Sequence, residues 1–158
     1  MSIDKFLNDL DKKNQEQAEK LKGIEDAILK KEIDEKEFLA RFSSIYDERI
    51  VNEFNEISTK LKEKFIVNYE RITREQKPDV KEGKIDISPK FESKIKTVTI
   101  IVIAEADRRL ITITGKAIDQ NPKGLEESIV TFQDTLDKFL EIHIEDEISK
   151  ILSKYFIN

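Results

Sequence analysis

The sequence predicts an α+β fold, in which a long antiparallel helical hairpin is followed by a small three-stranded antiparallel sheet and a C-terminal helix. Three observations carry this reading. Apolar residues recur every three or four positions through most of the first half, alternate with a period of two from Lys84, and return to helical spacing after Asn121-Pro122.

The first helix is expected over residues 3–31, where Ile3, Leu7, Leu10, Asn14, Gln17, Leu21, Ile24 and Ile28 are spaced alternately by four and three. This is a heptad seam made polar in its middle at Asn14 and Gln17, a combination that weakens a coiled coil but can fix its register. Gly23 costs about 1 kcal/mol in a helix interior, which a helix of this length can carry. Lys31 to Ile33 leave room only for a tight return. Asp34 then suits an N-cap, with Glu37 completing a capping box.

The second helix is expected over 35–76, with the stripe Phe38, Phe42, Tyr46, Ile50, Phe54, Ile57, Leu61, Phe65, Tyr69 and Ile72. At 1.5 Å per residue it would run roughly 60 Å, too long to be buried in one compact domain, so part of it must pair with another helix or chain. Pro78 ends it, because proline disfavours helical geometry in the residue before it.

Ile85 and Ile87 alternate before Pro89, and Ile95, Thr97, Thr99, Ile101 and Ile103 oppose Lys96, Val98, Ile100 and Val102. A strand that is apolar on both faces near its end is central or covered twice. Glu105-Ala106-Asp107-Arg108 reads as a reversal into a strand from Arg109 to Ile118, giving three antiparallel strands that need a helix against one face. Asn121 and Pro122 open the final helix, with the stripe Leu125, Ile129, Phe132, Leu136, Phe139, His143, Ile148, Leu152 and Tyr155. Lys77 to Gly83 is the boundary between a coiled-coil-like hairpin domain, residues 1–77, and the sheet with its C-terminal amphipathic helix, residues 84–158.

Composition narrows the function. A chain with 39% charged residues, four Gly and three Pro is helix-rich and folded. A net charge of -5 argues against broad phosphate binding, which needs a basic surface. The absence of cysteine removes disulfides, thiolate nucleophiles and cysteine metal sites, and fits a reducing compartment. Met1 to Lys5 lacks the basic-then-apolar pattern of a signal peptide, and the apolar run Val98 to Ala104 is too short to span a bilayer. A cytoplasmic location with no membrane partner is expected.

Few residues invite chemistry. His143 is the only histidine, with Glu147 one turn away, but catalytic zinc wants three protein ligands and none completes the set. No metal or cofactor is expected. Glu105, Asp107, Arg108 and Arg109 gather at a hairpin tip, where two arginines suit a carboxylate or phosphate; adjacent strand residues point to opposite faces, which favours a solvated turn. Arg71, Arg74, Lys77, Lys81 and Lys84 form a basic stretch at the end of the second helix, where cations also favour a helix C-terminus. Gly23, Gly83, Gly115 and Gly124 are isolated and form no phosphate loop.

Phe38, Phe42, Phe54, Leu61, Phe65, Phe132 and Phe139 supply the apolar stripes. They form core where covered, and a groove for a partner helix where uncovered. The function expected is therefore non-enzymatic protein–protein interaction or assembly, of scaffold, adaptor or chaperone-like kind. The partner is foremost a second copy, with a dimer favoured, or else a different protein. One alternative is a small enzyme or anionic-ligand domain using Arg108 and Arg109. A second is nucleic-acid binding through Arg71 and Arg74, which the acidic charge disfavours.

Overall fold

The computed structural model describes residues 2–73, 80–120 and 128–157. They fall into two units, Met1–Lys36 and Glu37–Asn158. The elements are α1 (Ile3–Ile45), a π-helical turn (Tyr46–Ile50), α2 (Val51–Leu61), β1 (Phe65–Thr73), β2 (Val80–Pro89), β3 (Ile95–Glu105), β4 (Leu110–Asp119), β5 (Ser128–Asp134), α3 (Leu136–Phe139) and α4 (Ile144–Phe156).

The helical hairpin expected from the sequence is absent. Helix runs from Ile3 to Leu61 without a reversal. Lys30 to Glu37 contains neither glycine nor proline and is rich in good helix formers, so nothing there stops the helix. Lys31 and Glu35, one turn apart at 3.8 Å, support the continuous backbone. Asp34 therefore lies inside α1 and not at the start of a helix. Nor does helix continue to residue 76. It ends at Leu61, where Lys64 donates its N–H to the Leu61 carbonyl at 3.1 Å and turns the chain into β1.

The sheet has five strands, not three, in the simple antiparallel order β1-β2-β3-β4-β5. The three predicted strands correspond to β2, β3 and β4, and the two outer ones occupy segments whose spacing suggests helix. In β1, Phe65, Val67 and Tyr69 alternate with exposed Ile66, Asn68 and Glu70. Phe65 and Tyr69 are four apart, a spacing that also fits a helix. In β5 the register against β4 shifts between Ile113 and Thr114, so that Ile113 pairs with Phe132 and Thr114 with Val130. Thr131 is the extra residue of a β-bulge. The bulge brings Ile129 and Phe132 to the same face although they are three apart, which imitates a helical period. The final helix is correspondingly short. Leu136 and Phe139 belong to α3, whereas Ile148, Leu152 and Tyr155 belong to α4. The predicted cap at Asn121 and Pro122, together with Leu125, lies outside the described residues.

Within Glu37–Asn158 the core lies against one face of the sheet. Ile85 and Ile87 of β2, Val98, Ile100, Val102 and Ala104 of β3, and Ile111, Ile113 and Ala117 of β4 are buried there. Phe38, Phe42, Tyr46, Ile50, Phe54 and Ile57 join them from the helical segment, and Ile144, Ile148 and Ile151 from α4. From Phe38 to Phe54 the buried stripe repeats strictly every four residues. On an α-helix of 3.6 residues per turn such a stripe drifts by about 40° per step. The π-helical turn at Tyr46–Ile50, with its wider i→i+5 bonding, absorbs part of that drift and keeps the stripe facing the core.

Two glycines on the buried face set how closely the helices approach. A Cβ at Gly83 would enter the ring of Tyr46, and one at Gly115 would lie 2.5 Å from Ile151 Cγ2. Gly115 also accepts a hydrogen bond from Tyr155 Oη at 3.3 Å. Neither glycine has positive φ, so both serve close approach and not a turn. Gly83→Ala is therefore expected to destabilise the protein by about 1–3 kcal/mol through overpacking. A lower urea midpoint with an unchanged m-value would bear this out; an unchanged midpoint would show that Tyr46 moves aside without cost.

Candidate functional site

The Met1–Lys36 unit consists of the first part of α1 and no other element. Every residue from 2 to 33 is exposed, including the whole apolar seam: Ile3 is 76% exposed and Leu21 61%, with Leu7, Leu10, Ile24 and Ile28 also open. A Cβ added at Gly23 would meet nothing within 4 Å, so a methyl group is sterically free there. An isolated helix gains little from its own hydrogen bonds in water, and most helical stability in proteins comes from packing an amphipathic face. This segment displays such a face with nothing in its own unit to cover it.

The apolar residues singled out from the sequence occupy different positions. Phe38, Phe42, Phe54 and Phe139 are buried in the core of Glu37–Asn158, and Leu61, Phe65 and Phe132 are partly buried against it. Phe132 and Phe139 pack at 5.9 Å between ring centroids. The exposed apolar seam is instead the one in the first half of α1, which the sequence pattern presents as the shorter arm of a hairpin.

The arginines are spread over separate places. Arg71 lies on β1, with its guanidinium 5.3 Å from the centre of the Tyr46 ring, bonded to Ser43 and 3.4 Å from Asp47. Arg108 and Arg109 lie in the β3–β4 turn, where Arg108 reaches Glu105 at 3.5 Å and Arg109 adopts a left-handed φ of 50°. Lys81 and Lys84 are on β2, and Lys84 pairs with Asp86 at 3.3 Å. Arg74 and Lys77 lie outside the described residues. The helix C-terminus invoked for this basic stretch does not exist, because Arg71 belongs to a strand.

His143 is exposed and stands at the N-terminus of α4, in a shallow depression shared with Glu141, Asp146, Glu147 and Lys150. Among the described residues, no three His, Cys, Asp or Glu side chains gather as a metal site. The neighbouring contacts are structural. Arg49 donates to the carbonyls of Phe139 at 3.4 Å, Leu140 at 3.3 Å and Ile142, and pairs with Glu53 at 3.3 Å. Glu53 in turn accepts the Ile144 N–H at the start of α4. Burial pushes the Glu53 carboxyl above the usual glutamate range, opposed by Arg49, the Ile144 N–H and His143.

A second concavity, of about 660 Å³, is lined by Phe65, Phe91, Leu152 and Phe156, with Lys64 and Lys90 beside them. The three phenylalanine rings meet edge to face at 5.3–5.9 Å. Phe91 remains 45% exposed and Lys90 donates to the Lys62 carbonyl. It is an open aromatic cleft without a converging set of polar groups.

No protein-family model, curated protein or solved structure matches the chain.

Because the folded state raises the Glu53 pKa, the native protein holds this proton more tightly than the unfolded chain, and stability falls as pH rises from about 4.3 through the folded-state value. Glu53→Gln should flatten that fall in urea titrations between pH 4 and 7; an unaltered slope would exclude Glu53 as its source. Gly23→Ala should raise the helical signal and stabilise α1 by up to about 1 kcal/mol, read by far-ultraviolet circular dichroism.

Proposed function

We propose that this chain is a non-enzymatic assembly protein acting in the cytoplasm, which uses the first part of α1 to bind another helix while Glu37–Asn158 supplies a folded module. The carrying observation is the uncovered heptad seam of Ile3, Leu7, Leu10, Leu21, Ile24 and Ile28. An exposed apolar stripe on a folded protein marks an interaction surface, and the alternation of three and four is the spacing at which a second helix interdigitates. Two of the arginines suited to an anion are already engaged, Arg71 by Asp47 and Ser43 and Arg108 by Glu105, which supports binding over catalysis. Among the described residues, no helix is long and apolar enough to cross a membrane.

The occupant of the seam is another copy of the chain or a helix of similar pattern from a different protein. Light scattering across a dilution series is expected to give a mass above that of one chain that declines on dilution. The double substitution Leu21→Asp with Ile24→Asp should lower it to a single chain and leave the urea transition of Glu37–Asn158 in place. A monomeric mass for the native chain throughout would overturn self-association, and failure of the double substitution to alter an oligomeric mass would place the contact elsewhere.

A further inference from the structure

The charges beside the seam specify the partner and its direction. With Leu7, Asn14, Leu21 and Ile28 at heptad position a, and Ile3, Leu10, Gln17 and Ile24 at d, the flanking e positions are Asp4, Asp11, Ala18, Glu25 and Glu32. The flanking g positions are Phe6, Lys13, Lys20, Ala27 and Asp34. One border of the exposed stripe is thus acidic, and the other is basic through its middle.

The polar layers do not choose a direction. Two parallel copies in register set Asn14 against Asn14 and Gln17 against Gln17. Two fully overlapped antiparallel copies set Asn14 against Gln17, with Ile3 against Ile28, Leu7 against Ile24 and Leu10 against Leu21. Both arrangements match apolar with apolar and polar with polar.

The borders decide between them. In a parallel pair, g of one helix meets e of the next heptad on the other, so Lys20 faces Glu25 twice by symmetry and no like charges are opposed. In the antiparallel pair, e meets e and g meets g, so Asp4 faces Glu25 and Lys13 faces Lys20, each twice. Oppositely charged neighbours stabilise and like-charged ones destabilise, and rim charges set which pairing forms. On the reading that the seam binds a helix, we infer that its partner is a second copy of this chain, parallel and in register, forming a coiled coil over residues 3–31.

The absence of cysteine makes the test direct. Leu7→Cys and Ile24→Cys are introduced singly into the full chain, each is oxidised alone, and the two are oxidised as an equimolar mixture after exchange. In the parallel pair each position lies beside its own equivalent, whereas positions 7 and 24 are about 25 Å apart along the helix. The expected result is a covalent dimer from each variant alone and no mixed disulfide above that formed in denaturant. A dominant mixed disulfide would overturn the parallel direction while leaving the seam as the contact. A single-chain mass for the native protein, with no disulfide above the denatured background, would overturn the seam contact itself.

Charge reversal gives a second reading that uses no cysteine. Lys20→Glu should weaken self-association several-fold in the parallel arrangement, and Lys20→Glu with Glu25→Lys should restore it. In the antiparallel arrangement the single reversal would relieve the Lys13–Lys20 contact and tighten the dimer. Tightening by the single reversal would therefore overturn the proposal.

Discussion

The distance at which the helices rest on the sheet depends on two residues that lack a side chain. Gly83 in β2 receives the Tyr46 ring and Gly115 in β4 receives Ile151. Facing layers of large side chains interdigitate only where one side yields, and these glycines are the yielding points on the buried face. Tyr46 sits in the π-helical turn and Ile151 in α4, so each packed helical segment has its own recess. Between the recesses, β3 contributes only Val98, Ile100, Val102 and Ala104, a β-branched row that shortens to alanine toward its end. Burial of the Tyr46 phenol pushes its pKa above the ordinary range, even with the Arg71 guanidinium over its ring.

Polar groups hold the short C-terminal helices at the positions this packing requires. Helix ends at the connection from α3 to α4 carry carbonyls and N–H groups that intrahelical bonding does not satisfy, although the Phe139 carbonyl also receives the Ile142 N–H at 3.3 Å. Arg49 collects three of the carbonyls and Glu53 accepts one of the N–H groups, both from a single turn of the preceding helix. Thr135 caps α3 by accepting the Lys138 N–H at 3.4 Å. More exposed pairs, Arg41 with Asp137 at 3.1 Å and Lys60 with Glu145 at 2.7 Å, join the same elements and contribute less, because water screens them. Arg49 and Glu53 act as one device, and their isolation in sequence from residues 139–144 hides it until the chain is folded.

What could be read from the residues was governed by whether a segment obeyed one period or two. β2 and β4 were legible because Ile85 with Ile87 and Ile111 with Ile113 alternate with polar residues, and β3 because its short β-branched run places apolar residues on both faces. β1 was not, because Phe65 and Tyr69 satisfy the helical and the extended spacing together and Lys62 to Lys64 contains no glycine or proline to mark the change. β5 was masked by its bulge at Thr131. The false reversal at Asp34 arose because the residue pattern of a capping box can also occur within a continuous helix. The heptad seam of residues 3–28 was legible in full, but its openness was not, since the expected second arm of a hairpin would have covered it. Arg71 shows the same limit: its position near the end of an apolar stripe suggests a helix terminus, and only the strand places it beside Asp47 and Tyr46.

The exposure of residues 2–33 also bears on how the chain melts. A helix whose apolar face gains its packing from a separate molecule belongs to a different cooperative unit from the sheet and its helices, and its order rises with protein concentration by mass action. Amide protons of Leu10 or Leu21 would then exchange on a timescale set by subunit exchange, while those of Ile100 or Ile113 would report the global opening of the sheet. On the proposed pairing no single unfolding free energy would describe the chain, because residues 3–31 would be stabilised in a bimolecular equilibrium and Glu37–Asn158 in a unimolecular one.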